Sequence, residues 1–157
     1  MDIPHEDVEV LEEAQCLALM ATTLLGRIAF TEGALPAVQP VVFALADGEV
    51  FIPTHRGSAV AAASRGAVVA FEVDEVDARA RTGWTVTVVG ASRLICDPAE
   101  VHHLDELGVP PWAPAGDHCY IGILAQLVRG RRISHLAAPG GGTPPVVDGT
   151  PATALPA

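Results

Sequence analysis

Short apolar runs with a period of two dominate this chain, and glycines punctuate them. Arg27–Thr31, Val38–Ala46, Val50–Thr54, Ala67–Val73, Trp84–Cys96 and Cys119–Ile133 each read as a strand. Asp47-Gly48, set between β-branched runs, signals a hairpin because glycine tolerates the positive φ of the primed turns. Glu32-Gly33 marks another turn. Gly90, inside the long Trp84–Cys96 run, permits the bulge or bend by which a barrel strand turns a corner. Three segments carry helix signals instead. Glu6–Thr23 has a rough apolar stripe (Val8, Leu11, Cys16, Leu19, Met20) and an acidic first half suited to the positive end of the helix dipole. Ser58–Arg65 is rich in alanine, with Ser58 as cap and Gly66 as stop. Asp97-Pro98-Ala99-Glu100 opens a third helix with a capping box, running to about Leu107 before Gly108. The charged stretch Asp74–Thr82 reads as a solvent-facing loop.

The order predicts a mainly β fold with short helices: six antiparallel strands forming a barrel with Greek-key character. The pattern alone does not separate a split barrel from an OB-like barrel. Beyond Leu136 the chain is dense in Pro and Gly and has no periodicity. One folded domain over residues 1–136 and a disordered tail over 137–157 are therefore expected.

Charge narrows the function classes. The net charge of −10 disfavours nucleic acid and anionic membrane as partners, since both select a cationic surface. All nine cationic residues are Arg. With no lysine amine there is no Schiff-base chemistry. Cys16, Cys96 and Cys119 are odd in number, far apart and without a CxxC, so neither a disulfide framework nor a zinc site is expected. The acidic N-terminus does not read as a secretory signal, and no apolar run approaches the ~20 residues of a membrane span. A reduced, cytoplasmic setting is the expectation.

Candidate chemistry gathers around Thr54-His55-Arg56-Gly57-Ser58, where a strand ends and a helix begins. Two hydroxyls, a guanidinium and the open backbone of Gly57 make an anion site; an ordinary turn with a capping serine fits the same residues. Trp84 either walls a ligand or starts a barrel strand in the core. Trp112 plugs a Pro-rich loop. In Arg129-Gly130-Arg131-Arg132, strand alternation sends Arg131 and Arg132 to opposite faces, so at most one enters a shared cleft. No GxSxG, HExxH or P-loop is present, no His/Asp/Glu cluster has metal spacing, and no catalytic residue is assigned. His55 is the one histidine beside the candidate site.

The motifs, taken in order, carry a resemblance. Leu25-Gly26-Arg27-Ile28-Ala29-Phe30 leads to Gln39-Pro40-Val41, then Ile52-Pro53-Thr54-His55-Arg56-Gly57-Ser58 and Val69–Asp74. Thr82-Gly83-Trp84-Thr85-Val86, Pro111-Trp112 and Gly130-Arg131-Arg132-Ile133 follow. Over about residues 8–134 the chain resembles the small bacterial branch of the pyridoxamine 5′-phosphate oxidase-like, flavin-binding split-barrel family. The resemblance implies a split barrel and a homodimer with two cofactor sites between subunits, usually holding FMN. It places Gln39, Pro40 and Val41 along the flavin ring and Thr54, His55, Arg56, Gly57 and Ser58 at the phosphate. Trp84 and Arg131 would come from the partner subunit. Pro53 and Val60 stand where many relatives have Arg and Lys. The implied function is a flavin-dependent oxidoreductase acting on a small molecule. The alternatives are a non-catalytic flavin or haem module, or a reductase using a deazaflavin (F420); FAD is a further option for the cofactor. A flavin performs the redox chemistry itself, which suits a chain so poor in catalytic groups.

Overall fold

The helix expected over 6–23 begins only at Glu13. In the computed structural model, which describes residues 8–110 and 117–134, Val8–Leu11 is instead a strand, β1. It pairs antiparallel with Leu127–Ile133 (β9), covering an edge that would otherwise present unpaired backbone groups. Glu9 lies opposite Arg132 and its Oε2 is 3.5 Å from Arg132 Nη1, so the acidic segment serves a cross-strand pair rather than a helix dipole. The helix α1, Glu13–Met20, starts at Glu12, whose N–H donates to Gln15 Oε1 at 2.9 Å. Its inner face buries Cys16 and Met20.

Leu25–Glu32 (β2) and Leu35–Val42 (β3) form a hairpin through Gly33-Ala34, one residue later than the expected turn. Gly33 and Ala34 both have positive φ, 54° and 65°, matching the twist of the flanking strands. The expected run 38–46 is broken. Phe43 leaves β3 and sits in the core edge-on to Phe71, with ring centroids 4.9 Å apart. Ala44–Ala46 (β4) then pairs with Glu49–His55 (β5) through Asp47-Gly48, as the Asp-Gly signal predicts. Ser58 caps α2, Ala59–Ala63, its Oγ accepting from Ala61 N–H at 3.1 Å.

The charged stretch 74–82 is mostly ladder rather than loop. Val68–Asp77 (β6) and Thr82–Ile95 (β7) pair in register from Val68↔Ala91 to Asp77↔Thr82. Its charges are exposed or half-buried, and Asp74 finds a partner across strands: Arg27 Nη1 reaches it at 3.2 Å and the neighbouring Glu72 at 3.3 Å. Asp97 caps α3, Pro98–Asp105, accepting from Glu100 N–H at 3.1 Å. Glu100 does not reach back as a capping box requires; its carboxylate takes Arg93 at 2.9 Å. The last expected strand is also two, His118–Leu124 (β8) and β9, parted at Ala125-Gln126.

The six expected runs thus become nine strands, because two of them change sheet and β1 is added. One sheet runs β3-β2-β6-β7 and continues through β9 to β1; the other runs β7-β8-β5-β4. β7 belongs to both: Gly83–Val89 pairs with β9 and Ser92–Ile95 with β8. At the changeover Gly90 lies against the Leu124 carbonyl. The two sheets enclose Ile28, Ile52, Phe71, Val86, Val88 and Ile121, and a second cluster of Phe51, Ile95, Leu104 and Tyr120 packs beneath α3.

Cys96 and Cys119 form a disulfide with Cα atoms 4.7 Å apart, which corrects the expectation of unpaired thiols. Sequence spacing does not reveal it; the β7–β8 register does, since Ile95 pairs with Tyr120 and brings the next positions together. Cys16 remains free and buried. Among the described residues no helix is long and apolar enough to cross a membrane. The expected tail over 137–157, Pro111-Trp112, His5 and His135 lie outside the described residues.

Candidate functional site

β3 is an edge strand: its ladder runs to β2 and, among the described residues, to no other strand. The outward backbone groups of Val42 and the carbonyl of Pro40 are consequently open to a ligand, while Gln39 and Val41 turn their backbone groups to β2. Facing this edge, β5 contributes Ile52–His55, and α2 contributes Ser58 and Val60. Together they bound a groove of about 190 Å³. It gathers six of the sequence-singled residues: Gln39, Pro40, Val41, Thr54, His55 and Ser58.

The polar end of the groove is organised by hydroxyls. Thr54 Oγ1 and Ser58 Oγ are 2.8 Å apart, and the same Ser58 oxygen accepts from Ala61 N–H. His55 Nδ1 accepts the Gly57 N–H at 3.1 Å, which leaves the proton of the neutral ring on Nε2. No lining residue carries a fixed positive charge, and Pro53 and Val60 add only apolar surface to the lining. The apolar wall and the open strand edge offer a surface for one face of a flat aromatic ring. A phosphate would meet hydroxyls rather than cations.

The remaining candidates lie elsewhere. Arg56 is exposed and lines a separate cleft of about 380 Å³ beside Arg65 and Arg93. Gly57 forms the turn between the groove and that cleft. Trp84, half-buried on β7, borders a surface cleft with Arg132 and Ile133. Arg131 stands opposite Thr85 on β9 and lines another cleft with Thr87 and Arg129. Arg132 turns to Glu9, so the two neighbouring arginines do part, as alternation requires. Within one chain neither Trp84 nor Arg131 joins the Gln39 groove.

Two features had no local signal in the sequence. Arg65 reaches the cleft only because α2 ends where β7 passes. Asp105, at the end of α3, accepts from Tyr120 Oη–H at 2.8 Å, and His118 Nε2 lies 2.8 Å from the same oxygen. Burial, reinforced by this bond to Asp105, pushes the Tyr120 phenol well above its usual range. Burial also raises the Cys16 thiol. Among the described residues no group of three His, Cys, Asp or Glu side chains is arranged to hold a metal ion.

Residues 12–123 match the family model described as pyridoxamine 5′-phosphate oxidase. The chain belongs to the pyridoxamine 5′-phosphate oxidase-like, split-barrel family. The match spans the groove but begins after β1 and ends before β9. Protein Rv0080 of Mycobacterium tuberculosis is 36% identical over 132 residues, covering 81% of this chain and 86% of that protein. Among family structures, the FAD-binding protein of Mycobacterium smegmatis is 26% identical, with a TM-score of 0.69 over 80% of this chain and 99% of its own. The FAD- and haem-binding protein of the same organism is 17% identical, with a TM-score of 0.66 over 96% of this chain and 94% of its own, a likeness of fold.

Proposed function

We propose that this chain is a homodimeric flavin-binding protein that serves as a flavin-dependent oxidoreductase. The observation that carries the reading is the groove, where an edge strand with open backbone groups faces an apolar wall and a pair of hydroxyls. In this reading Gln39, Pro40 and Val41 lie along the isoalloxazine ring. Thr54 and Ser58 donate toward the phosphate of FMN or the first phosphate of FAD. The bound flavin supplies hydride or electron transfer. The chain's own residues hold the ring by backbone hydrogen bonds and exclude water with Ile52, Pro53 and Val60.

A volume of about 190 Å³ is below the roughly 300–1,000 Å³ of typical ligand pockets, so a second wall is required. A second copy of the chain provides it, bringing Trp84 and Arg131 to the groove. Leu35, Val38 and Val68, 67–70% exposed, give that copy an apolar surface to cover. A cytoplasmic setting belongs to the same proposal.

The test is a visible absorption spectrum after incubation with FMN or FAD and desalting, alongside sedimentation. Retained flavin bands on a dimer, lost on Gln39→Ala with Thr54→Val, are expected. A monomer that rejects both flavins would overturn the reading. A carrier role without turnover is the second reading, because His55 is the only titratable side chain among the residues that line the groove. Oxidation of NADPH by the flavin-loaded protein excludes the carrier role.

A further inference from the structure

The cleft between α2 and β7 has no part in the groove. Its walls are Arg56 at the turn before α2, Arg65 at the turn after it, and Arg93 on β7, with Gly66 and Cys96 between them. Three of the chain's nine cations therefore converge on one concavity in a protein of net charge −10. They are not equivalent. Arg93 is held by Glu49 at 2.9 Å and Glu100 at 2.9 Å, so its charge is matched. Arg56 and Arg65 make no ion pair among the described residues, so two guanidinium groups of the lining are without a carboxylate partner.

The cleft also stands next to the groove. Arg56 follows His55 and precedes Gly57 and Ser58, so the wall between the two spaces is one tight turn. At Gly57 an added Cβ would find only the His55 ring within 4 Å, which leaves the crest of that turn low. A ligand anchored by its ring in the groove would cross at Gly57 and set its next anionic group between Arg56 and Arg65. At about 380 Å³ the cleft has twice the volume of the groove, more room than one phosphate needs.

We infer that this cleft binds the pyrophosphate–nucleoside end of a dinucleotide, with Arg56 and Arg65 as its charge partners. The inference deepens the flavin reading by favouring a dinucleotide flavin over FMN, and it supplies the cations that Pro53 and Val60 deny to the groove. The same chemistry would serve an adenine dinucleotide electron donor.

Isothermal titration of the full chain with inorganic pyrophosphate, ADP, FMN, FAD and NADPH tests it. Arg65→Gln is compared with Arg79→Gln, an equal charge loss on the distant β6–β7 hairpin, and Arg56→Gln serves as a second variant. Circular dichroism confirms that each is folded. Pyrophosphate and ADP should bind the wild type and weaken about ten-fold in Arg65→Gln, with Arg79→Gln and FMN unaffected. A matching loss for FAD assigns the cleft to the cofactor's tail; a matching loss for NADPH assigns it to the donor. Either supports the inference. If pyrophosphate binding is lost in Arg65→Gln although no flavin binds at all, the cleft stands and the groove reading falls. Absence of pyrophosphate binding, or equal losses in Arg65→Gln and Arg79→Gln, overturns the inference.

Discussion

Gly90 of β7 packs against the main-chain carbonyl of Leu124, so closely that a Cβ at Gly90 would meet the oxygen itself. The obstacle is backbone on both sides, held further by the bond from Ala91 N–H to Gln126 Oε1 at 2.8 Å. Gly90→Ala should therefore cost on the order of 3 kcal/mol. Gly48→Ala, in the β4–β5 turn at φ 71° with nothing near its Cβ, should cost only the left-handed penalty of about 1 kcal/mol. Urea midpoints at unchanged m-value distinguish the two.

Ser58 has two duties, and they separate. Ser58→Ala removes the acceptor for Ala61 N–H and should lose about 1 kcal/mol of stability. Ser58→Asp keeps a capping oxygen but sets a carboxylate beside the proposed phosphate. Its melting temperature should stay near wild type while FMN affinity falls by roughly ten-fold or more. Equal flavin binding by the two variants would remove Ser58 from the site.

The Cys96–Cys119 bond closes a sequence separation of 23, for which the loop-entropy relation gives about 3 kcal/mol. Cys96→Ser should lower stability by that order, and reductant should lower the wild type equally but leave the variant unchanged. Thiol titration of the unfolded, unreduced chain should find Cys16 alone.

Tyr120 makes stability fall in alkali. The folded phenol holds its proton more tightly than the unfolded one, through burial and the bond to Asp105. Its contribution is intact below the unfolded value of about 10 and declines as pH rises beyond it. Tyr120→Phe should lose about 1 kcal/mol at neutral pH for the missing hydrogen bond. The same variant should flatten the decline between pH 9 and 11. Thermal melts across that range, compared with wild type, isolate this residue from the buried Cys16 thiol, whose raised pKa acts in the same direction.

What the sequence revealed was what local chemistry encodes. The Asp47-Gly48 hairpin, the Ser58 and Asp97 caps and the bend at Gly90 each depend on a few adjacent residues, and each is present. The misreadings share a different cause. β1 looks helical because its partner, β9, lies more than 100 residues away and only that pairing explains Glu9. Phe43 and Ala125-Gln126 interrupt uniformly apolar runs, where periodicity cannot show that a strand passes from one sheet to the other. The charges of 74–77 suggest a loop until the β6–β7 register shows that the ladder runs on past the core, with this end exposed on both faces. At the site, the strand-to-helix turn at Gly57 brought Thr54–Ser58 to attention, and the family resemblance implied Gln39–Val41. The neighbouring cleft stayed hidden, since Arg56, Arg65 and Arg93 meet only in three dimensions.

Among the described residues β7 is the one strand hydrogen-bonded within both sheets, pairing with β6, β8 and β9 along its 14 residues. At ~3.3 Å per residue it spans roughly 45 Å. Neither sheet can peel away while the other survives, because each would tear its share of the ladder from the same backbone. The protein should therefore melt in a single cooperative step, with the amides at the centre of β7 exchanging with solvent only when both sheets open together.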